Sequence, residues 1–567
     1  MTSSATAGAD ARAARYRDLG LWTDQRIGLL LDAAAATWPD QEFLLFEGRR
    51  LTYRELARWV WTVGADLVAR GIGHGDRVLV YLPNTLESIV AQLAAWRIGA
   101  VAVPVITIYR EHEMRQIVAD CRPAALVTAA AQGSRGLVAE MERVLSDTGV
   151  EPVARYIVDG EVPGWDPVPQ SLNEAADEIA LPEPGAATDC CTILYTSGTT
   201  AAPKGAQLSG RGVLATVHSM RRVQGFHLGD VIVNGAPVSH LSGFLCACVV
   251  PLVTGCRVVL LRKWDAEAVV ALAEQEGGTY SHGVPVFLQE MVDLYEAGRS
   301  PGYRLTNYIS GGSSTPGHLL ERAAALGISA GRGYGMTELS GTVVVVPPDT
   351  PPARAADFEG RIFPGSEIEA RDEDGTALPP GSLGELWIRS PQLMIGYTDP
   401  ALTAEQVDAE GFFSTGDVGV VDAEGWVRID GRIKDIINRG GEKLPCKDIE
   451  EALTSFPGVA RAAVLGVPEP RLGEQVCAFV VPAEGVPWTG PETVVVHLES
   501  VQLAKQKIPV EWHVLDALPM TASGKVRKHE LQAWREKTLS DGAHDGRPRR
   551  RSVVRHRSDS SVGGADE

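Results

Sequence analysis

Apolar and polar positions follow two rhythms along this chain. Short apolar runs such as Arg77-Val78-Leu79-Val80-Tyr81 and Val101-Ala102-Val103-Pro104-Val105 read as buried strands, and Leu86 to Ile98 between them has helical spacing. That alternation predicts an α/β architecture with buried sheets. It continues over roughly residues 15–430, with shorter, turn-rich strands from about Gly365 to Asp430, marked by Glu373-Asp374-Gly375 and Ala423-Glu424-Gly425. A smaller unit follows, with a helix-like segment near Cys446–Ser455 and strands near Val459–Val467 and Gln475–Val481. From about Asp541 the periodicity is gone. Arg547, Arg549, Arg550, Arg551, Arg555 and Arg557 mix there with Ser, Gly and Asp, so disorder is expected, with an anionic partner as the sharper alternative. The most apolar stretch, Leu241 to Leu261, is broken by Ser242, Pro251 and Arg257 and reads as core elements, not a membrane span.

Composition narrows the picture. A chain of 567 residues is too long for one core, so two or more domains are expected. Its 44% hydrophobic and 22% charged residues suit a globular protein. A net charge of −19 argues against nucleic acid as a partner but leaves room for a nucleotide at a local positive site. The eight cysteines show no Cys-x-x-Cys pair and no zinc spacing, so reduced, buried thiols are expected. Met1 to Asp10 is small and polar, without a basic start and apolar run, so no secretory leader is expected and the location is taken as cytoplasmic.

The densest chemistry lies in Tyr195-Thr196-Ser197-Gly198-Thr199-Thr200-Ala201-Ala202-Pro203-Lys204-Gly205, just after the β-prone Cys191-Thr192-Ile193-Leu194. A strand ending in a loop of hydroxyls and backbone N–H groups, closed by one cation, suits a polyphosphate. It is not the Walker pattern, because Pro203 stands where that pattern has glycine before its lysine. Tyr334-Gly335-Met336-Thr337-Glu338, after the alternation Gly331, Gly333, Gly335, offers a stacking ring, a hydroxyl for phosphate and a carboxylate for Mg²⁺. Taken alone, Tyr334 is more often core and Glu338 a helix-start charge. In Ser414-Thr415-Gly416-Asp417 the aspartate could accept from ribose hydroxyls, or simply close an Asx turn. Gly431-Arg432-Ile433-Lys434-Asp435 lies where the fold style changes and reads as a linker. Leu518-Pro519-Met520-Thr521-Ala522-Ser523-Gly524-Lys525-Val526-Arg527-Lys528 places a lysine on a glycine-flanked loop, which is solvated unless domain closure delivers it.

In order and spacing these motifs resemble the adenylate-forming superfamily of acyl-CoA synthetases, aryl-acid ligases, luciferases and peptide-synthetase adenylation domains. The resemblance spans roughly residues 20–536 and includes Leu51-Thr52-Tyr53-Arg54-Glu55-Leu56, Gly75-Asp76-Arg77-Val78, Gly384-Glu385-Leu386 and Leu472-Gly473-Glu474. Tyr109-Arg110-Glu111-His112-Glu113, Pro237 to Phe244 and Trp264-Asp265 look closest to acid-CoA ligases of the cyclohexanecarboxylate and aryl-acid type. The resemblance implies a large N-terminal domain (1–430) of stacked mixed sheets with helices plus a small β-barrel-like subdomain. It also implies a hinge (431–434) pivoting at Lys434 and a small mobile α+β C-terminal domain (435–536), leaving 537–567 as the disordered basic tail.

The same resemblance implies ATP, Mg²⁺ and coenzyme A, or a phosphopantetheine carrier, as cofactors. Thr196, Ser197, Gly198, Thr199, Thr200 and Lys204 would hold the β- and γ-phosphates, and Gly311, Gly312, Ser313, Tyr334, Gly335 and Met336 would surround the adenine. Thr337 would touch the α-phosphate, Glu338 would hold the metal, and Asp417 and Arg432 would hold the ribose. Lys525 would bridge carboxylate and α-phosphate, with His240 beside the acyl carboxylate. His240, Leu241, Gly243, Phe244, Val284, Pro285 and Met336 form the implied pocket. It is apolar and carries no carboxylate over Ser239–Cys246 to pair with an α-amine, which favours an aromatic, alicyclic or medium aliphatic acid over an amino acid. Gly440 and Gly441 would face the thiol after rotation of the small domain.

Two departures qualify this. Ala201 stands where relatives usually have glycine, and Lys443-Leu444-Pro445-Cys446 departs from the usual run near the thiol tunnel. Leu241 replaces the asparagine typical of dihydroxybenzoate ligases. The expected activity is conversion of a small carboxylic acid to its acyl-adenylate, then to an acyl-CoA. Transfer to a separate carrier protein or an amine, and a degenerate ATP-binding scaffold, stand as alternatives. No fused carrier domain is expected from the few residues after Lys528, no internal repeat is present, and a homodimer is left open.

Overall fold

A computed structural model of the chain describes residues 2–170, 180–197, 203–300, 302–303, 305–440, 442–488, 490–520, 526–542 and 555–556. The expected elements form where the patterns place them. Arg77–Tyr81 and Val101–Pro104 are buried strands around the helix Leu86–Arg97. The apolar stretch after His240 divides into short helical turns, Leu241–Phe244, a π-helical Leu245–Val249 and Val250–Thr254, before the strand Arg257–Leu260. Among the described residues no helix is long and apolar enough to cross a membrane.

Local chemistry explains several boundaries. Thr52 and Glu55 form a reciprocal capping box, the Thr52 hydroxyl accepting from the Glu55 N–H at 3.2 Å and the Glu55 carboxylate accepting from the Thr52 N–H at 2.8 Å. This starts the helix Tyr53–Ala69, whose Tyr53, Leu56, Trp59, Val60 and Val63 face the core.

The chain divides into two compact units, one of Met1–Ile368, Trp387–Ser414 and Gly425–Val427, the other of Glu369–Leu386, Thr415–Glu424 and Arg428–Glu567. In the first unit, strands Ser329–Met336, Asn307–Gly311, Tyr280–Gly283, Val231–Asn234, Arg257–Leu260 and Glu42–Phe46 lie side by side and parallel. A second sheet of this unit runs Gly396–Tyr397, Pro203–Ser209, Cys190–Ser197, Val101–Pro104, Arg77–Tyr81, Ala125–Thr128, Ala154–Ile157, Asp166–Pro167. Helix crossovers cover these parallel strands, as the α/β expectation requires.

In the second unit, strands Glu442–Pro445, Ile436–Arg439, Gly473–Pro482 and Glu511–Leu515 neighbour one another, with Val459–Glu469 also on Gly473–Pro482. The helix Cys446–Thr454 packs its Ile449 and Leu453 into that core. Segments 369–386 and 415–424, expected with the N-terminal domain, cluster here instead. Their contacts explain it: the Thr415 hydroxyl donates to the Leu386 carbonyl at 2.7 Å, and Lys443 pairs with Glu373 at 2.6 Å. At the far end, the helix Lys528–Gly542 runs past the boundary expected at residue 536, and Arg555–His556 pair as a strand with Val514–Leu515.

All eight cysteines are free thiols, and all but the half-buried Cys190 are buried. Burial pushes Cys121, Cys190, Cys256 and Cys446 up to about 12, and Cys191, Cys246, Cys248 and Cys477 higher still.

Candidate active site

The phosphate motif folds as a β-hairpin. Cys190–Ser197 pairs antiparallel with Pro203–Ser209, setting Thr196 opposite Lys204 and Ser197 opposite Pro203. Gly198, Thr199, Thr200 and Ala201 lie outside the described residues, as do Gly441 and Lys525, and of Ser197 only the backbone is described.

The strands at the heart of the first sheet end in the other candidates. Val284 follows Tyr280–Gly283 and starts the helix Pro285–Glu296. Gly311 closes the next strand, with Gly312 and Ser313 exposed in the turn behind it. That turn is braced from within, by the Ser310–Thr315 hydroxyl pair at 2.7 Å and by the Arg332 Nε donating to the Thr315 carbonyl at 2.8 Å. Tyr334, Gly335 and Met336 end the third strand, and Thr337–Leu339 turn as one short 3₁₀ segment. Gly335 is there for room: a Cβ would stand 2.1 Å from the Gly341 carbonyl oxygen of the adjacent strand. These are the carboxyl ends of parallel strands, where open α/β sheets take their ligands.

Tyr397 ties the hairpin to this edge. Its hydroxyl donates to Glu338 Oε1 at 2.7 Å, and its ring centroid lies 5.7 Å from Lys204 Nζ. Burial, and then the Glu338 charge, push the phenol far above its ordinary value, so it stays a donor. Backbone bonds reinforce the tie: the Met394 N–H donates to the Glu338 carbonyl at 2.7 Å, and the Thr398 N–H to the Gly205 carbonyl at 2.8 Å. Gln392, fully buried, donates to the Leu339 and Thr342 carbonyls and fixes the turn around Glu338. Sequence reasoning missed Tyr397. It comes from a two-residue strand, Gly396–Tyr397, beside Pro203–Ser209, and a lone Gly-Tyr carries no spacing signal.

On the acid side, His240 is half-buried and precedes the turn Leu241–Phe244; its carbonyl accepts from the Phe244 N–H at 2.8 Å. Gly243 permits this tight turn, since a Cβ would fall 2.2 Å from the Pro237 carbonyl oxygen. Leu241 and Phe244 belong to the large core cluster, with Met336 packed against it. Phe244 is fully buried and meets Trp96 edge-on at 5.4 Å. His282, on the strand before Val284, is a second residue that sequence reasoning passed over. Burial, and then the nearby His240, push its imidazole down to about 4.

In the second unit, Asp417 is buried and pairs with Arg432 Nε at 3.0 Å, while the Arg432 side chain is about half exposed. The Asp417 N–H donates to the Thr415 hydroxyl at 3.0 Å, so the backbone turns tightly at this site, but on the Thr415 hydroxyl and not as an Asx turn. Lys434 and Gly440 are exposed. The residues flanking the segment that contains Lys525 are tied together: Met520 bridges Val526, the Arg527 N–H donates to the Pro519 carbonyl at 2.8 Å, and the half-buried Lys528 pairs with Glu450 at 2.9 Å.

The chain matches the AMP-binding enzyme family over residues 31–398 and the AMP-binding enzyme C-terminal domain over residues 448–525. It belongs to the AMP-binding enzyme family. It is 30% identical over 541 residues to the medium-chain fatty-acid–CoA ligase of Escherichia coli K12, covering 92% of this chain and 93% of that relative. Among solved structures it resembles ATP-bound MatB of Rhodopseudomonas palustris, with a TM-score of 0.78, 28% identity, and 91% and 100% of the two chains covered. The amide bond synthetase McbA of Marinactinospora thermotolerans gives a TM-score of 0.79 and 27% identity, with 90% and 99% covered. In the Lys204–Tyr397–Glu338 arrangement of this AMP-binding enzyme one ring, that of Tyr397, lies beside the Lys204 cation and donates from its hydroxyl to the Glu338 carboxylate.

Proposed function

We propose that this chain, an ATP-dependent, AMP-forming ligase, activates an aromatic, alicyclic or medium-chain carboxylic acid and passes the acyl group to coenzyme A. The observation carrying this reading is the Tyr397 tie between Lys204 and Glu338. It fixes a positive and a negative group as the neutralisation of a polyphosphate requires.

In the first half-reaction a carboxylate oxygen attacks the α-phosphorus of ATP, and the bond to pyrophosphate breaks. The nucleophile is weak, so in-line placement and charge neutralisation supply the rate. Thr196 and Lys204, with the segment between them, hold the β- and γ-phosphates, and Thr337 donates to the α-phosphate. Gly311, Gly312, Ser313 and Tyr334 receive the adenine; Asp417 and Arg432 receive the ribose. Lys525 bridges the incoming carboxylate and the α-phosphate oxygens, and His240 orients the carboxylate. Glu338 offers a hard oxygen donor already oriented through Oε1, which fits Mg²⁺. The ion would screen the phosphate charge.

In the second half-reaction the thiol sulfur of coenzyme A attacks the acyl carbonyl carbon. The C–S bond forms, the C–O bond to AMP breaks, and the thiol proton leaves to solvent. Gly440 and Gly441 lie on the thiol side in this reading. A cytoplasmic location would supply both ATP and coenzyme A. An amine as acceptor is the second reading, favoured by the similarity to the amide bond synthetase McbA, and a separate carrier protein is the third.

Pyrophosphate release with a panel of carboxylic acids, followed by separate addition of coenzyme A, carrier protein or amine, tests all three. Pyrophosphate with an acid, then thioester on adding coenzyme A, is expected. Product with an amine alone replaces the acceptor, and no pyrophosphate with any acid removes the adenylation reading.

A further inference from the structure

His282 stands at the carboxyl end of the strand Tyr280–Gly283, opposite Ile309 of the neighbouring parallel strand. Side chains alternate along a strand, so His282 shares the face of Tyr280, and Tyr280 belongs to the same core cluster as Leu241, Phe244 and Leu245. Ser281 points to the other face, where its neighbour Tyr308 joins the second core cluster. His282 therefore faces the large core cluster, and His240, at the start of the Leu241–Phe244 turn, is near enough to act on its ring.

It is 4% exposed, and among the described residues neither Nδ1 nor Nε2 has a hydrogen-bond partner. Buried polar groups are almost always satisfied, and leaving one unmet costs stability. The other deeply buried histidine described here, His513, has its Nε2 2.7 Å from Glu511. Among the described residues nothing comparable is supplied to His282. Burial, and then His240, hold the ring neutral at pH 7, so it presents one N–H donor and one lone-pair acceptor. A hydroxyl can answer either nitrogen, because it both donates and accepts. A methylene answers neither, and a second carboxylate would meet a ring that its surroundings keep uncharged.

We propose that His282 reads a hydroxyl on the acid that this site activates, so that the substrate is a hydroxylated acid and not a purely apolar one. This rests on the adenylation reading and sharpens the apolar pocket expected from His240, Leu241 and Met336. A buried water satisfying both nitrogens is the competing occupant.

The test is ATP–pyrophosphate exchange by the full chain with matched acids: benzoate against its three monohydroxy isomers, cinnamate against its hydroxylated forms, and cyclohexanecarboxylate against hydroxycyclohexanecarboxylates. One hydroxylated acid should exceed its parent in kcat/KM by about 10- to 100-fold. In His282→Leu that preference should collapse, chiefly by faster turnover of the parent acid, and His282→Gln, which keeps a donor and an acceptor, should retain part of it. A merely structural role would depress both members of each pair alike. Equal rates within every pair of the wild-type chain, as a trapped water predicts, overturn the proposal, as does an undiminished preference in His282→Leu. Exchange with no acid at all overturns the adenylation reading instead, and this proposal with it.

Discussion

Glu338 and His282 lie at the ends of strands in one sheet, and the protein treats them in opposite ways. Glu338 is held: Tyr397 donates to its carboxylate, Gln392 pins the turn around it, and the same ring lies under Lys204. His282 is equipped with two polar atoms and given no hydrogen-bond partner among the described residues. The contrast separates two tasks. In the proposed reaction, groups that meet the same phosphates and metal in every turnover are pre-organised by the protein, because reorganisation would add to the barrier. A group that must distinguish one acid from another is left for the acid to complete, so that the wrong acid leaves it unmet.

This division is open to attack at several points. The largest effect is expected at Lys525, proposed to act in only one half-reaction: Lys525→Ala should lower adenylate formation by about 10²- to 10³-fold. Thioester formation from a supplied acyl-adenylate should survive, and equal loss of both halves in a folded variant would remove the one-sided role. Glu338→Gln keeps the hydrogen-bonding shape but not the charge. It should lower pyrophosphate exchange about 10²-fold with a raised Mg²⁺ requirement, and an unchanged Mg²⁺ titration would take the metal away from Glu338. Tyr397→Phe keeps the ring beside Lys204 and removes only the donor to Glu338, so about a tenfold loss is expected; a loss as large as that of Glu338→Gln would make the tyrosine more than a brace.

The smallest effect concerns stability. Burial, then His240, lower the His282 pKa to about 4 when folded, against 6.5 for the free side chain. Between these values the unfolded chain binds more protons, so the contribution is complete above about pH 6.5 and is lost as pH falls towards 4. Between about pH 7.5 and 6 the wild type should lose on the order of 1 kcal/mol relative to His282→Leu, read as the difference in urea unfolding at the two pH values. Parallel pH dependence in the two proteins would mean that the ring titrates normally in the fold.

The α/β architecture was legible in the sequence, and the candidate motifs could be singled out because they are contiguous. Thr196–Lys204, Tyr334–Glu338 and Ser414–Asp417 each crowd several polar groups into a few residues, and it was their order and spacing together, through the family resemblance, that suggested roles for them. The helix and strands around Leu86 followed from apolar period, since both flanking strands are buried on both faces. Tyr397 was not legible because its role exists only once a two-residue strand pairs with Pro203–Ser209. His282 was hidden for the opposite reason: its meaning lies in contacts it lacks, and no string of letters displays a missing hydrogen bond. The division of 369–424 between two units was hidden too, because a strand pairs by register and not by position in the chain.

The thiols carry a further consequence. An acyl-adenylate is a strong electrophile, and the nucleophile most ready to intercept it in a protein is a thiolate. Burial pushes even the half-buried Cys190 thiol up to about 12, so near neutral pH it is held as the neutral thiol. Buried, un-ionised thiols of this kind are poor nucleophiles, which suits a chain proposed to form an acyl-adenylate.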